Sequence, residues 1–220
     1  MSGKPTLVIG NKNYSSWSLR PWLLMKHRGV AFDEVRLPLD TPEFARGVAR
    51  WSPSGRVPVL HDGALVVWDS LAICEYVSEA FLDGGGWPSD PGARAVARAA
   101  SAEMHSGFAA LRNSLPLNCR RKATEFAVPS DAQRDIGRIE HIWRECRARY
   151  GEGGPFLFGA FSIADAMYAP VVLRFRTYGV RGDDVARRYG ETLMSLAALR
   201  EWLAAAEAEG LPLPKYDAIA

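Results

Sequence analysis

Ser15, Ser16 and Ser18 crowd one short segment, Tyr14-Ser15-Ser16-Trp17-Ser18-Leu19-Arg20, between two apolar stretches. Leu7-Val8-Ile9 before it reads as a strand, and Leu19 to Arg28 after it reads as a helix closed by Gly29. A strand, a polar turn and a helix start in that order gather hydroxyls and unpaired backbone N–H groups at a helix N-terminus. The helix dipole favours an anion there. Serines of this kind also serve as plain helix caps, so the segment by itself leaves anion binding and capping both open. It does exclude one chemistry. Dithiol–disulfide exchange needs cysteine at such a turn, and the chain has none between Asn11 and Arg28.

The other reactive side chains are dispersed. Cys74, Cys119 and Cys146 are odd in number, far apart and free of Cys-x-x-Cys spacing, as isolated thiols in a reducing compartment would be. His27, His61, His105 and His141 are not at ligand spacing, so no metal is expected. The chain carries 27 basic and 25 acidic residues for a net charge of +2, a balance that calls for neither nucleic acid nor an anionic membrane as partner. Its densest basic run, Arg120-Arg121-Lys122, reads as a solvated helix end. No apolar signal core follows Lys4 and no window reaches membrane-span length, so a cytoplasmic location is expected.

The elements that would position the serines follow from periodicity. Thr6 to Ile9 is a strand, Phe32 to Leu37 alternates like a half-buried strand, and Thr41-Pro42 opens a helix with a cap and a first-turn proline. Val57 to Leu60 and Ala64 to Val67 flank His61-Asp62-Gly63 as a hairpin, and Asp69 caps a helix through Ile73, Tyr76, Val77 and Phe81. Glycines and prolines over residues 83–91 break both periodicities and mark a linker between a mixed domain, 1–82, and an all-helical one, 92–220. In the second half, stripes from Ile136 to Tyr150, Ala164 to Phe175 and Leu193 to Ala206 read as core-facing helices.

In combination these pieces resemble the cytosolic glutathione transferase superfamily. Ser15-Ser16-Trp17-Ser18 is similar to the serine motif of its zeta and tau classes, and Arg56-Val57-Pro58-Val59-Leu60 to the segment with the family's cis-proline. Asp69-Ser70-Leu71-Ala72-Ile73 stands where the family opens its third helix with an acid and a serine. Phe161-Ser162-Ile163-Ala164-Asp165 resembles the capping box of its buried C-terminal helix. The resemblance covers nearly the whole chain. It implies a thioredoxin-like α/β N-terminal domain joined to an all-α C-terminal domain, glutathione as co-substrate, and a homodimer.

It also implies roles. Ser15, with Ser16 as its neighbour, would stabilise the glutathione thiolate. The backbone of Val57, beside a cis Pro58, would pair with the peptide as an added strand. Arg56 would meet the glycyl carboxylate, Ser70 the γ-glutamyl carboxylate and Asp69 its ammonium, although the family more often has glutamate where Asp69 stands. The electrophile would lie between Trp17 and a helical face bearing Met104, Phe108 and Arg112 at spacing four. The activity implied is conjugation of glutathione to small hydrophobic electrophiles, a detoxification chemistry. Two alternatives stand beside it: a zeta-like cis–trans isomerase of the maleylacetoacetate type, and a non-catalytic binding module of the same fold. Against the isomerase, Trp17 replaces the usual cysteine, and Arg174 and Arg176 are out of register with the arginine expected in the later helix.

Overall fold

The computed structural model describes residues 3–122 and 126–217. Its first part runs β1 (Thr6–Ile9), α1 (Ser16–His27), β2 (Asp33–Arg36), α2 (Pro42–Trp51), β3 (Val59–Asp62), β4 (Leu65–Val67) and α3 (Ser70–Phe81). The four strands form one sheet in the order β2-β1-β3-β4, with β1 parallel to β2 and antiparallel to β3. Strand alternation sends successive residues to opposite faces. Leu7, Ile9 and Leu60 therefore join the main core with α1, whereas Val8 and Val59 meet Val48 of α2 in a smaller cluster. The expected hairpin is present, with Gly63 at φ +59° where a side chain would be strained.

Helix α1 begins at Ser16, three residues earlier than periodicity predicts, because Ser15 supplies its cap. It packs on α3 and on two later helices, α7 (Ile163–Thr177) and α9 (Ala197–Ala208), and of its first ten residues only Trp17 retains partial exposure. The segment bearing the serines is thus held on one side by the sheet and on the other by the helical domain.

That domain comprises α4 (Pro91–Ser106), α5 (Ala109–Ser114), α6 (Ser130–Tyr150), α7 (Ile163–Thr177), α8 (Asp184–Ser195), α9 (Ala197–Ala208) and α10 (Pro214–Asp217). Helix α7 lies at its centre, with every residue buried except Arg176. The capping box at its start is formed by Ser162 and Asp165, and the Asp165 carboxylate accepts from Ser162 N, Leu157 N and the Tyr189 hydroxyl.

Two expectations are corrected. The stripe from Leu193 to Ala206 is not one helix: Leu196 adopts extended backbone between α8 and α9 and turns its side chain into the core. Arg120-Arg121-Lys122 is not a solvated helix end. Arg120 donates to the Tyr14 hydroxyl at 2.7 Å and to the carbonyls of Glu209 and Leu211, while Arg121 lies over the Tyr178 ring.

The C-terminal segment grips the loop that precedes the serines. The buried Glu209 carboxylate accepts from Lys12 N at 2.8 Å, Asn13 N at 3.1 Å and Arg36 at 2.9 Å. Glu209→Ala would leave two buried N–H groups without acceptors, so we expect a loss of about 2–4 kcal/mol in urea unfolding.

Candidate active site

The three motif serines do different work. Ser15 is the N-cap of α1: its hydroxyl accepts from Ser18 N at 3.3 Å and donates to Ser18 Oγ at 2.7 Å. Ser18 is fully buried and also receives Gly10 N, so it ties the end of β1 to the helix and is structural. Ser16 faces α7, where its Oγ accepts from Arg174 at 3.2 Å. Its own hydroxyl proton has no acceptor among the described residues. The Trp17 N–H at the second helical position is likewise without a partner among them, as expected of a helix terminus open to an anion.

Arg174, out of register in the sequence, nevertheless reaches the serine motif in the folded chain. It is buried, donates to Leu115 O at 2.8 Å and reaches across to Ser16. Burial and the neighbouring Arg112 lower its pKa to about 10. Arg20, one turn after Ser16, is buried too, with its guanidinium 4.3 Å from the Trp17 ring centroid and 3.5 Å from Ser70 Oγ. Burial, then the charges of Arg112 and Arg174, bring it down to about 9. The rim of the serine motif is therefore strongly cationic, and Arg20 Nε has no hydrogen-bond partner among the described residues.

Beside this terminus lies a cleft of about 470 Å³. Trp17, Arg56, Val57, Pro58, Asp69 and Ser70, predicted separately from the sequence, all line it. The Val57–Pro58 bond is cis, as expected; so is Trp68–Asp69, which no sequence signal announced. Asp69 caps α3 through Leu71 N at 3.0 Å, and its other oxygen lies 3.0 Å from His105 Nε2. Ser70 is fully buried in the wall.

The expected electrophile wall is only partly present. Met104, Phe108 and Arg112 do not share one helical face, because α4 ends at Ser106 and Phe108 takes a left-handed conformation before α5. Gly107 makes that end: a Cβ there would stand 2.8 Å from Glu103 O. Met104 and Phe108 are consequently core residues. Arg112 turns back to donate to the carbonyls of Met104, His105 and Gly107, with its charge 4.7 Å from the Trp17 ring centroid. It closes the C-terminus of α4 instead of facing the cleft.

Ser54, Trp68 and His105 also line the cleft, although no sequence motif marks them. Trp68 precedes the Asp69 cap, and His105 adjoins Met104, so proximity to chosen residues was the available signal. Desolvation, with help from Arg20 and Arg112, depresses the His105 pKa below its ordinary 6.5, against the opposing pull of Asp69. Burial thus favours the neutral imidazole. Its contribution to stability is present above the unfolded value and is lost as pH falls through the folded one. We expect its ring resonance to titrate below pH 6.5, and lower still in Asp69→Asn, as followed by NMR.

Residues 14–80 match the family model for the glutathione S-transferase N-terminal domain, and residues 129–205 that for the C-terminal domain. The chain belongs to the glutathione S-transferase superfamily. It is 28% identical over 186 residues to the maleylacetoacetate isomerase of Rattus norvegicus, covering 81% of this chain and 82% of that protein. Among solved structures, a bacterial zeta-class maleyl pyruvate isomerase superposes with a TM-score of 0.74 at 23% identity, over 94% of this chain and 100% of that one. A Burkholderia glutathione transferase homolog with bound glutathione gives a TM-score of 0.72 at 20% identity, over 94% of this chain and all of that one. As a glutathione S-transferase-type enzyme the protein has no thiol of its own to offer. Cys74, Cys119 and Cys146 are all buried, and desolvation pushes each thiol up, the last two to about 12. Among the described residues no group of His, Cys, Asp and Glu could hold a metal, and no helix is long and apolar enough to cross a membrane.

Proposed function

We propose that this protein binds glutathione in the cleft and that the Ser15 hydroxyl stabilises its thiolate for attack on a small hydrophobic electrophile. The observation that carries the reading is the convergence of the α1 terminus, the Val57–cis-Pro58 turn and the α3 terminus on one cleft. In it, Val57 pairs with the cysteinyl backbone, Arg56 meets the glycyl carboxylate, and the α3 terminus at Ser70 receives the γ-glutamyl carboxylate. Asp69 takes the ammonium in exchange for His105.

A free thiol with pKa about 8.5 is mostly protonated at neutral pH. Lowering it by two units needs roughly 2.7 kcal/mol of preferential thiolate stabilisation. A hydrogen bond to a charged group supplies about 1.5–3 kcal/mol, and the dipole about 0.3–1 kcal/mol. On binding, the Ser15 hydroxyl turns from Ser18 Oγ to the sulfur, the thiol proton leaves to solvent, and no general base is required. Ser16 supports the site as a hydroxyl polarised by Arg174.

Arg174 favours one further reading, the glutathione-dependent cis–trans isomerase, since a buried guanidinium bonded to Ser16 Oγ suits a carboxylate-bearing unsaturated substrate. In that reaction the thiolate adds to the double bond to give an enolate, the resulting single bond rotates, and elimination re-forms the double bond and releases the thiolate. Counting free thiols during turnover separates the two. Conjugation of an activated aryl halide consumes one thiol per product, whereas isomerisation of a cis-enedione acid leaves the thiol count unchanged. Glutathione binding with neither turnover would instead support the binding module. We propose a homodimer and a cytoplasmic location on family grounds, and a monomeric elution at micromolar concentration would overturn the former.

A further inference from the structure

Tyr14 opens the serine motif but does not line the cleft. Its ring is buried and stacks on Tyr216, with the centroids 5.5 Å apart. The hydroxyl is a junction. It accepts from Arg120 at 2.7 Å and from Leu213 N at 3.0 Å, and it donates to the Asp217 carboxylate at 2.9 Å. That carboxylate also accepts from Leu213 N at 3.0 Å and from Asn118 Nδ2 at 2.9 Å, and Asn118 Oδ1 accepts from Asn13 Nδ2 at 3.0 Å.

These bonds, with those from Lys12 N and Asn13 N to Glu209, hold the loop before Ser15 from a strap at residues 209–217. The strap adds little to the core: of its residues only Glu209 and Leu213 are buried, and α10 buries none. Its hydrogen bonds converge instead on Lys12, Asn13 and Tyr14, directly and through Asn118 and Arg120.

Ser15 follows this loop directly. It is the last non-helical residue before α1, and its N–H donates to Asn11 O at 2.8 Å. Packing fixes α1 behind it, so the freedom left to the Ser15 hydroxyl is that of the loop in front. A hydroxyl must meet sulfur at hydrogen-bond distance and in line, and a misplacement of about 1 Å is costly. We propose that Tyr14 and Asp217 are positioning residues for Ser15: the strap, latched at the Tyr14 hydroxyl, holds the serine where the glutathione sulfur meets it. This role rests on the reading that Ser15 stabilises the thiolate.

The test reads two quantities in wild type, Asp217→Ala, Tyr14→Phe and the double variant. The first is amide hydrogen exchange of residues 12–15 without glutathione, which should quicken at least threefold in each variant. The second is the thiol pKa of bound glutathione, which reports on folded molecules alone. It should rise by at least half a unit, about a threefold loss of thiolate at neutral pH. Because both residues act through one hydrogen bond, the double variant should shift no further than the larger single one. A merely structural strap would lower the unfolding midpoint and leave this pKa at the wild-type value. Unchanged exchange, an unchanged bound-thiol pKa, or additive shifts in the double variant would each overturn the proposal. A wild-type bound thiol that titrates like free glutathione would overturn the activation reading, and the positioning role falls with it.

Discussion

Asp165→Ala should cost about 3–5 kcal/mol of folding stability, the largest loss expected from a single polar substitution in this chain. The Asp165 carboxylate is fully buried and accepts from Leu157 N at 3.1 Å, Ser162 N at 2.8 Å, Ser162 Oγ at 3.1 Å and Tyr189 OH at 3.0 Å. Alanine leaves these buried donors without an acceptor at the start of the helix that centres the domain and carries Arg174. For a protein of this size the midpoint should fall by about 6–20 °C, read by calorimetry. Burial raises the carboxyl pKa from 3.8 to about 6 despite those bonds. The folded state therefore holds the proton more tightly, and this contribution to stability is full below pH 3.8 and lost as pH rises through 6. Asp165→Asn should abolish that pH-dependent component. A variant as stable as wild type would mean that the cap is satisfied by other groups.

Ser15→Ala should lower kcat/KM about 10- to 100-fold near neutral pH, the equivalent of one hydrogen bond to a charged sulfur. The deficit should shrink as pH rises past about 8.5, where the thiol ionises unaided. A structural role alone would not produce that convergence, since loss of an N-cap costs about 1 kcal/mol of stability at every pH. Ser16→Ala should have the smaller effect, because its hydroxyl is turned toward Arg174 at 3.2 Å. Steady-state kinetics across pH, with unfolding curves in parallel, separate the two contributions.

Local signals placed the architecture well. The strands, the Thr41 and Asp69 caps, the capping box at Ser162 and the hairpin at Gly63 each depend on neighbouring residues, and each is found. The cleft was legible for a related reason: its parts sit at turns and helix starts, where residue type reports backbone geometry. Arg174 was not, because reaching Ser16 depends on how α7 packs on α1, a contact across 158 positions. The electrophile wall failed on one residue. Spacing four assumes a continuous helix, and Gly107 interrupts it between Met104 and Arg112. His105 escaped for want of any local pattern linking it to Asp69.

The ultraviolet absorbance of the thiolate, titrated against pH with glutathione bound to wild type and to Ser15→Ala, tests the central claim most directly. Wild type should show a bound-thiol pKa about two units below the free value near 8.5, moving back toward that value in Ser15→Ala. A bound thiol that titrates like the free one, or a depressed value unchanged in Ser15→Ala, would contradict activation by this serine.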